Sequence, residues 1–179
     1  MKVIASAAAV LLCLAAPVAA PAQQGSDLAS KIANDPGAPE VTGGKAALRD
    51  DAAVQGGKAL RIQVARKGAN PWDTALASPV KKPVKAGDAL LLAFYARLEK
   101  GDNGATTTTL PFAGVQLADS PWTPIFHEAV EVGPEWKLIQ VKGKADRNYP
   151  AGKLKVTIHL ANAKQVIDVG PVILLNQGQ

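Results

Sequence analysis

The sequence is poor in the residues that most often carry chemistry: one cysteine, two histidines, one methionine and 4% aromatic residues. Cys13 stands inside an apolar N-terminal run, so the rest of the chain carries no disulfide, thiol nucleophile or cysteine metal site. Two histidines without a partnering cysteine make a poor transition-metal site. No G-x-S-x-G elbow, H-E-x-x-H pair or glycine-rich phosphate loop occurs. The apolar N-terminal stretch falls short of the roughly 20 residues and suitable flanks of a membrane span. No internal repeat and no low-complexity tract is present.

What the N-terminus does have is the pattern of an export signal. Lys2 supplies the positive start, residues 3–16 are small and apolar, and Ala20-Pro21-Ala22 offers an A-x-A cleavage site. Cleavage is expected after Ala22, which leaves Gln23 as the new N-terminus and sends the protein to the periplasm or the medium. Lipidation of Cys13 is disfavoured, because Leu12 rather than a small residue precedes it. The formal net charge is +5, one unit of it on Lys2. This mild excess is spread along the chain. Its densest run, Lys81-Lys82-Pro83-Val84-Lys85, reads as a solvated loop that suits an acidic polysaccharide or an anionic surface. Nothing in it makes the long basic stripe of a nucleic-acid protein.

Three segments follow from composition: a signal at 1–22, a polar linker or lead-in at 23–40, and a domain at 41–179. The lead-in ends in the breaker cluster Asp35-Pro36-Gly37-Ala38-Pro39, and at most one helical turn is expected before it. From Val41 the pattern changes to period two. Leu60, Ile62 and Val64 alternate with Arg61, Gln63 and Ala65, as do Leu154, Val156, Ile158 and Leu160 with Lys155, Thr157, His159 and Ala161. Further strands are read at 89–98, 106–109 continuing into 114–118, 126–132, 136–141 and 166–175, with Gly170-Pro171 marking a bulge or an edge. About eight short strands with no convincing helix indicate an all-β fold, an antiparallel two-sheet β-sandwich of jelly-roll type.

Several short motifs recur in a recognisable order: Gly57-Lys58-Ala59-Leu60-Arg61-Ile62, then Asn70-Pro71-Trp72-Asp73, then Val84-Lys85-Ala86-Gly87-Asp88. The strand Leu92-Ala93-Phe94-Tyr95-Ala96-Arg97, the pair Glu135-Trp136 and the run Gln165-Val166-Ile167-Asp168-Val169-Gly170 complete it. Over residues 56–176 the chain thereby resembles the carbohydrate-binding modules of families 4, 9 and 22, which share the galactose-binding-like jelly roll. The resemblance implies polysaccharide binding, to xylan or another β-linked glycan, on a concave sheet face. Such modules often accompany a hydrolase; none is attached here, so the implied partner is a separate glycoside hydrolase. It also implies a structural calcium, with Asp168 on one side of the site. The family's opening segment, which brings another ligand, has no counterpart here, and calcium takes about six to eight oxygens. No other cofactor is expected.

Scarce aromatics make the few present informative, because sugar C–H faces stack on rings while hydroxyls need paired donors and acceptors. Trp72, between Pro71 and Asp73, reads either as a stacking platform or as a packed loop anchor. Trp122, held between Pro121 and Thr123, reads as an outward ring or as a plug at one end of the sandwich. Trp136 opens an alternating strand and is expected in the core. Asp73, Arg97, Gln116 and Gln165 are the candidate hydrogen-bonding partners, Arg97 sharing a face with Tyr95. Each has a bland alternative as a surface strand or turn residue. Tyr149 is read as a loop tip. The expected function is therefore non-catalytic polysaccharide binding. Two other readings stay open: an envelope module that docks protein, and a jelly-roll lyase using Tyr95, Arg97 and His159. A glycosidase would draw its carboxylates from Asp73, Glu128 and Glu131, whose spacing does not favour it.

Overall fold

The described residues form ten strands, along which burial alternates. The structure, a computed structural model, describes residues 22–37 and 39–179. Its elements in chain order are α1 (Ala22–Lys31), β1 (Glu40–Thr42), β2 (Lys45–Asp50), β3 (Lys58–Val64), β4 (Ala75–Pro79) and β5 (Ala89–Lys100). After them come β6 (Thr108–Leu117), β7 (Pro124–Val132), β8 (Lys137–Lys144), β9 (Leu154–His159) and β10 (Gln165–Gly178). They form two antiparallel five-stranded sheets, ordered β1-β4-β9-β6-β7 and β2-β3-β10-β5-β8. This is the expected sandwich. Strand β5 shows why it holds: Leu90, Leu92, Phe94, Ala96 and Leu98 are buried while Leu91, Ala93, Tyr95 and Arg97 face outward. Leu154, Val156 and Ile158 of β9 meet them from the other sheet, leaving Lys155, Thr157 and His159 on the outside. Among the described residues no helix is long and apolar enough to cross a membrane.

Gly170-Pro171 is the bulge that the sequence suggests. Ile167 and Val169 are buried before it, Val172 and Leu174 after it, and the pairing with β5 shifts register between Val169 and Val172. One extra residue is absorbed there, so both halves of β10 keep their apolar side inward. Strand β3 accompanies β10 only over Gln165–Val169, so past the bulge that edge of β10 lacks a strand partner.

The lead-in fills this gap. Helix α1 ends at Lys31, Ile32 bridges Leu175, and the Ala33 amide donates to the Leu174 carbonyl at 2.7 Å. Asn34, buried, donates to Ser78 Oγ at 2.9 Å and to the Val172 carbonyl at 2.8 Å, and accepts from the Leu174 amide at 2.7 Å. Residues 32–34 thus belong to the sandwich rather than to a linker, because they satisfy backbone groups that the bulge leaves open. The expected signal segment lies outside the described residues, except for Ala22, which begins α1. Tyr149 also departs from expectation. It is 5% exposed, bridges Val84 and donates its hydroxyl to Asp146, which makes it core rather than a loop tip.

Candidate functional site

The outer face of the β1-β4-β9-β6-β7 sheet carries a groove of about 690 Å³, within the usual range of ligand sites. Strand register arranges its floor in rows that cross the strands. One row is Thr42, Ala75 and His159, continued by Phe112 on β6. The next is Glu40, Ala77, Thr157, Gly114 and His127. The third is Pro79, Lys155, Gln116 and Pro124. The middle row holds the small side chains Ala77 and Gly114 on either side of Thr157, so a trough lies between two banks of larger residues. At Gly114 a Cβ would stand 2.2 Å from the Phe126 carbonyl oxygen and 2.5 Å from His127 Cβ, which is why this position takes no side chain.

The two indoles stand at opposite ends of these strands. Trp72 rides on the turn Pro71–Asp73, which is closed by a capping box: the Asn70 amide donates to Asp73 Oδ2 at 3.0 Å. Backbone bonds from the Ala161 amide to Pro71 and from the Leu160 amide to Thr74 fix that turn to the end of β9. The Trp72 ring is 58% exposed and meets the His159 ring edge-on at 5.9 Å. Trp122 lies in the β6–β7 connection, 54% exposed, its amide donating to the Asp119 carbonyl at 2.9 Å. Its φ is +54°, a region that costs a bulky residue about 1–3 kcal/mol.

Between the indoles the floor is aromatic. Phe112 stacks on His127 at 4.5 Å and 16° and on His159 at 4.6 Å and 25°, so three adjacent strands present one line of rings. His159 is half-buried; that burial, with the charges of His127 and Lys155, holds its pKa below the ordinary imidazole value. Thr157 is 3% exposed and its Oγ1 has no hydrogen-bond partner in the structure. The hydroxyl oxygen is itself buried, so Thr157 shapes the floor of the groove and leaves the polar contacts to Gln116 and Lys155.

The candidate residues divide between the two sheets. Trp72, Trp122 and Gln116 line the groove. Asp73 neighbours it, but its carboxylate closes the turn beneath Trp72. Gln165 is buried elsewhere, its Nε2 donating to the Leu160 carbonyl at 2.6 Å and to Asn162 Oδ1 at 3.2 Å. Arg97 and Asp168 lie on the outer face of the opposite sheet. Asp168 has no exposed side-chain surface and receives Arg61 Nε at 2.8 Å, Arg49 Nη1 at 2.9 Å and Arg97 Nε at 3.0 Å. Burial alone would push its carboxyl up, but hydrogen bonds from Arg61 and Arg97, with the charges of Arg61 and Arg49, outweigh it and hold the pKa below the usual range. A carboxylate saturated by three guanidiniums does not fit calcium, which seeks acidic and neutral oxygens. Asp168 therefore serves the sheet, not a metal.

Trp136 is half-buried with Arg97 over its ring at 5.0 Å, on that same face. Tyr95 and Arg97 point away from the groove that holds His159, so the three lyase candidates do not meet. Glu128 pairs with Ala113, whose side faces the core, and Glu131 pairs with Thr109 farther along β7; neither opposes Asp73 across the groove. Among the described residues no three acidic or histidine side chains converge on a metal position.

Phe112, Thr157 and Lys155 were not singled out as ligand residues from the sequence, and His127 and His159 were weighed only for catalysis. Phe112 is hidden by a bulge. Strict alternation from Leu110 buries it, but the β6–β7 register shifts between Leu110 and Ala113 and turns the ring onto the groove.

Neither a family model nor a curated protein matches the sequence. Solved structures do match the fold, among them β-sandwich domains described as cellulose-binding and xylan-binding. A CBM4 structure aligns at 14% identity and a TM-score of 0.61 over 78% of this chain and 94% of its own. The N-terminal cellulose-binding domain of Cellulomonas fimi β-1,4-glucanase C aligns at 15% identity and 0.58, covering 82% and 93%. The CBM22-1 xylan-binding domain of Paenibacillus barcinonensis Xyn10C aligns at 15% and 0.55, covering 79% and 86%. At such identities the likeness is one of architecture.

Proposed function

We propose that this protein binds a polysaccharide chain in the groove of the β1-β4-β9-β6-β7 sheet and performs no chemistry on it. The observation that carries the reading is the lining itself: indoles at opposite ends of the strands, the Phe112 and His159 rings on the Trp72 side, and Gln116 and Lys155 as the polar positions. Flat apolar rings take sugar C–H faces, while a few placed polar groups read hydroxyls. The trough of Ala77, Thr157 and Gly114 gives a chain room to cross the strands between the two indoles. The three solved neighbours, two of which are described as binding cellulose and xylan, support a β-linked glycan such as xylan or glucan as the ligand. Exported by its N-terminal segment, the protein would meet such a glycan in the periplasm or the medium, and a separate glycoside hydrolase is its natural companion.

Affinity gel electrophoresis through xylan, mixed-linkage glucan, pectin and alginate tests this. Retardation in one gel is expected, with dissociation constants around the micromolar to millimolar range. Trp72→Ala should weaken it about tenfold or more, the loss of one stacked ring. A folded protein that migrates freely through all four gels would remove the reading, and a partner recovered from envelope extract would replace it with protein docking.

A further inference from the structure

We propose that His159, which lines the groove between Trp72 and Phe112, proton-gates the ligand site, so that an uncharged glycan is held at neutral pH and released as the pH falls. This rests on the polysaccharide-binding reading above. The chain has only two histidines, and both flank the same phenylalanine from neighbouring strands, at 4.5 and 4.6 Å. Of the two, His159 lines the groove, and His127 packs against the far side of the Phe112 ring.

The surroundings decide what protonation does. Glu40 stands at the β1 edge of the face and Lys155 shares β9 with His159. Strands β4 and β6 bring no ionisable group to the groove lining. Asp73, on the turn under Trp72, is engaged by Asn70, and Glu131 lies farther along β7 opposite Thr109. Among the described residues no hydrogen bond or ion pair links a carboxylate to either imidazole, and His159 already feels the positive charge of Lys155. A neutral sugar laid in the groove against His159 removes more water from it. Desolvation disfavours the charged imidazole, so binding lowers its pKa further. By linkage the affinity is then full above the free pKa, which lies below about 6.5, and falls as protons compete with ligand beneath it. A uronate ligand would give the opposite slope, because its carboxylate favours imidazolium.

Tryptophan-fluorescence titration with a mixed-linkage β-glucan oligosaccharide and a xylo-oligosaccharide, both uncharged, tests this between about pH 8 and about pH 5. Affinity is expected to fall from the upper to the lower pH as His159 takes up a proton. His159→Gln should bind more weakly throughout but with a flattened profile; His159→Asn is the second variant should the first not fold. Proton NMR of the two imidazoles in the intact protein gives an independent reading, with the His159 titration moving to lower pH as oligosaccharide is added. Tight binding with a flat profile, an affinity that rises in acid, or an unchanged slope in the folded variants would overturn the gating and leave polysaccharide binding standing. No binding at either pH, with the protein folded, would overturn both.

Discussion

Trp122 is held where a tryptophan is least comfortable. Its φ of +54° belongs to the left-handed region, and more than half of its surface is open to water, so packing returns little for the strain. Strain at an exposed ring makes sense if the ring is needed at that spot. Trp122→Gly should therefore lose affinity about tenfold while melting no lower than the parent, since relief of about 1–3 kcal/mol offsets the roughly 0.5–1 kcal/mol entropic cost of glycine. Calorimetric melting beside a binding titration checks both halves. A markedly lower melting temperature would mean that the indole is a structural plug. The flanking prolines and polar neighbours of Trp72 and Trp122 made both rings visible in the sequence as candidates, but not their facing one groove. Phe112 was invisible for a different reason: a single extra residue in β6 reverses which side it faces, and no local composition records that shift.

At the scale of elements, the sandwich was legible because burial has period two over long stretches, as in β5 and β9, and that period survives in the residue types. Residues 32–34 were not legible, because nothing in Ile32-Ala33-Asn34 is strand-like on its own. Their conformation is set by unpaired groups on β10, a gap that exists only once β3 has ended. Asn34→Ala should therefore cost about 2–4 kcal/mol, from three hydrogen bonds lost and buried partners left unsatisfied. Removing residues 22–31 alone should cost far less, since the described side chains of α1 are exposed. Denaturant unfolding of the two variants ranks them. Equal losses would show that the helix contributes as much stability as the asparagine.

On the scale of the whole molecule, the two outer faces are built for different tasks, and pH separates them. One face holds the groove and both imidazoles. The other joins β2, β3, β10 and β5 through Asp168, with Asp51 and Glu99 adding further links to its arginines. Because the Asp168 pKa is depressed in the folded state, its contribution is present above the ordinary carboxylate value near 4 and is lost as pH falls through the still lower folded value. Acid unfolding through this network should thus begin only below the ordinary carboxylate value near 4. Asp168→Asn leaves three guanidiniums around a neutral amide and should destabilise by about 3–5 kcal/mol, as when one partner of a buried pair is removed. It should also flatten stability against pH below about 4. Glycan affinity at neutral pH should not change, because no groove residue touches this network. If Asp168→Asn weakened binding in a protein shown to be folded, the two sheets would be coupled through the core, and the groove would depend on the arginine cluster behind it.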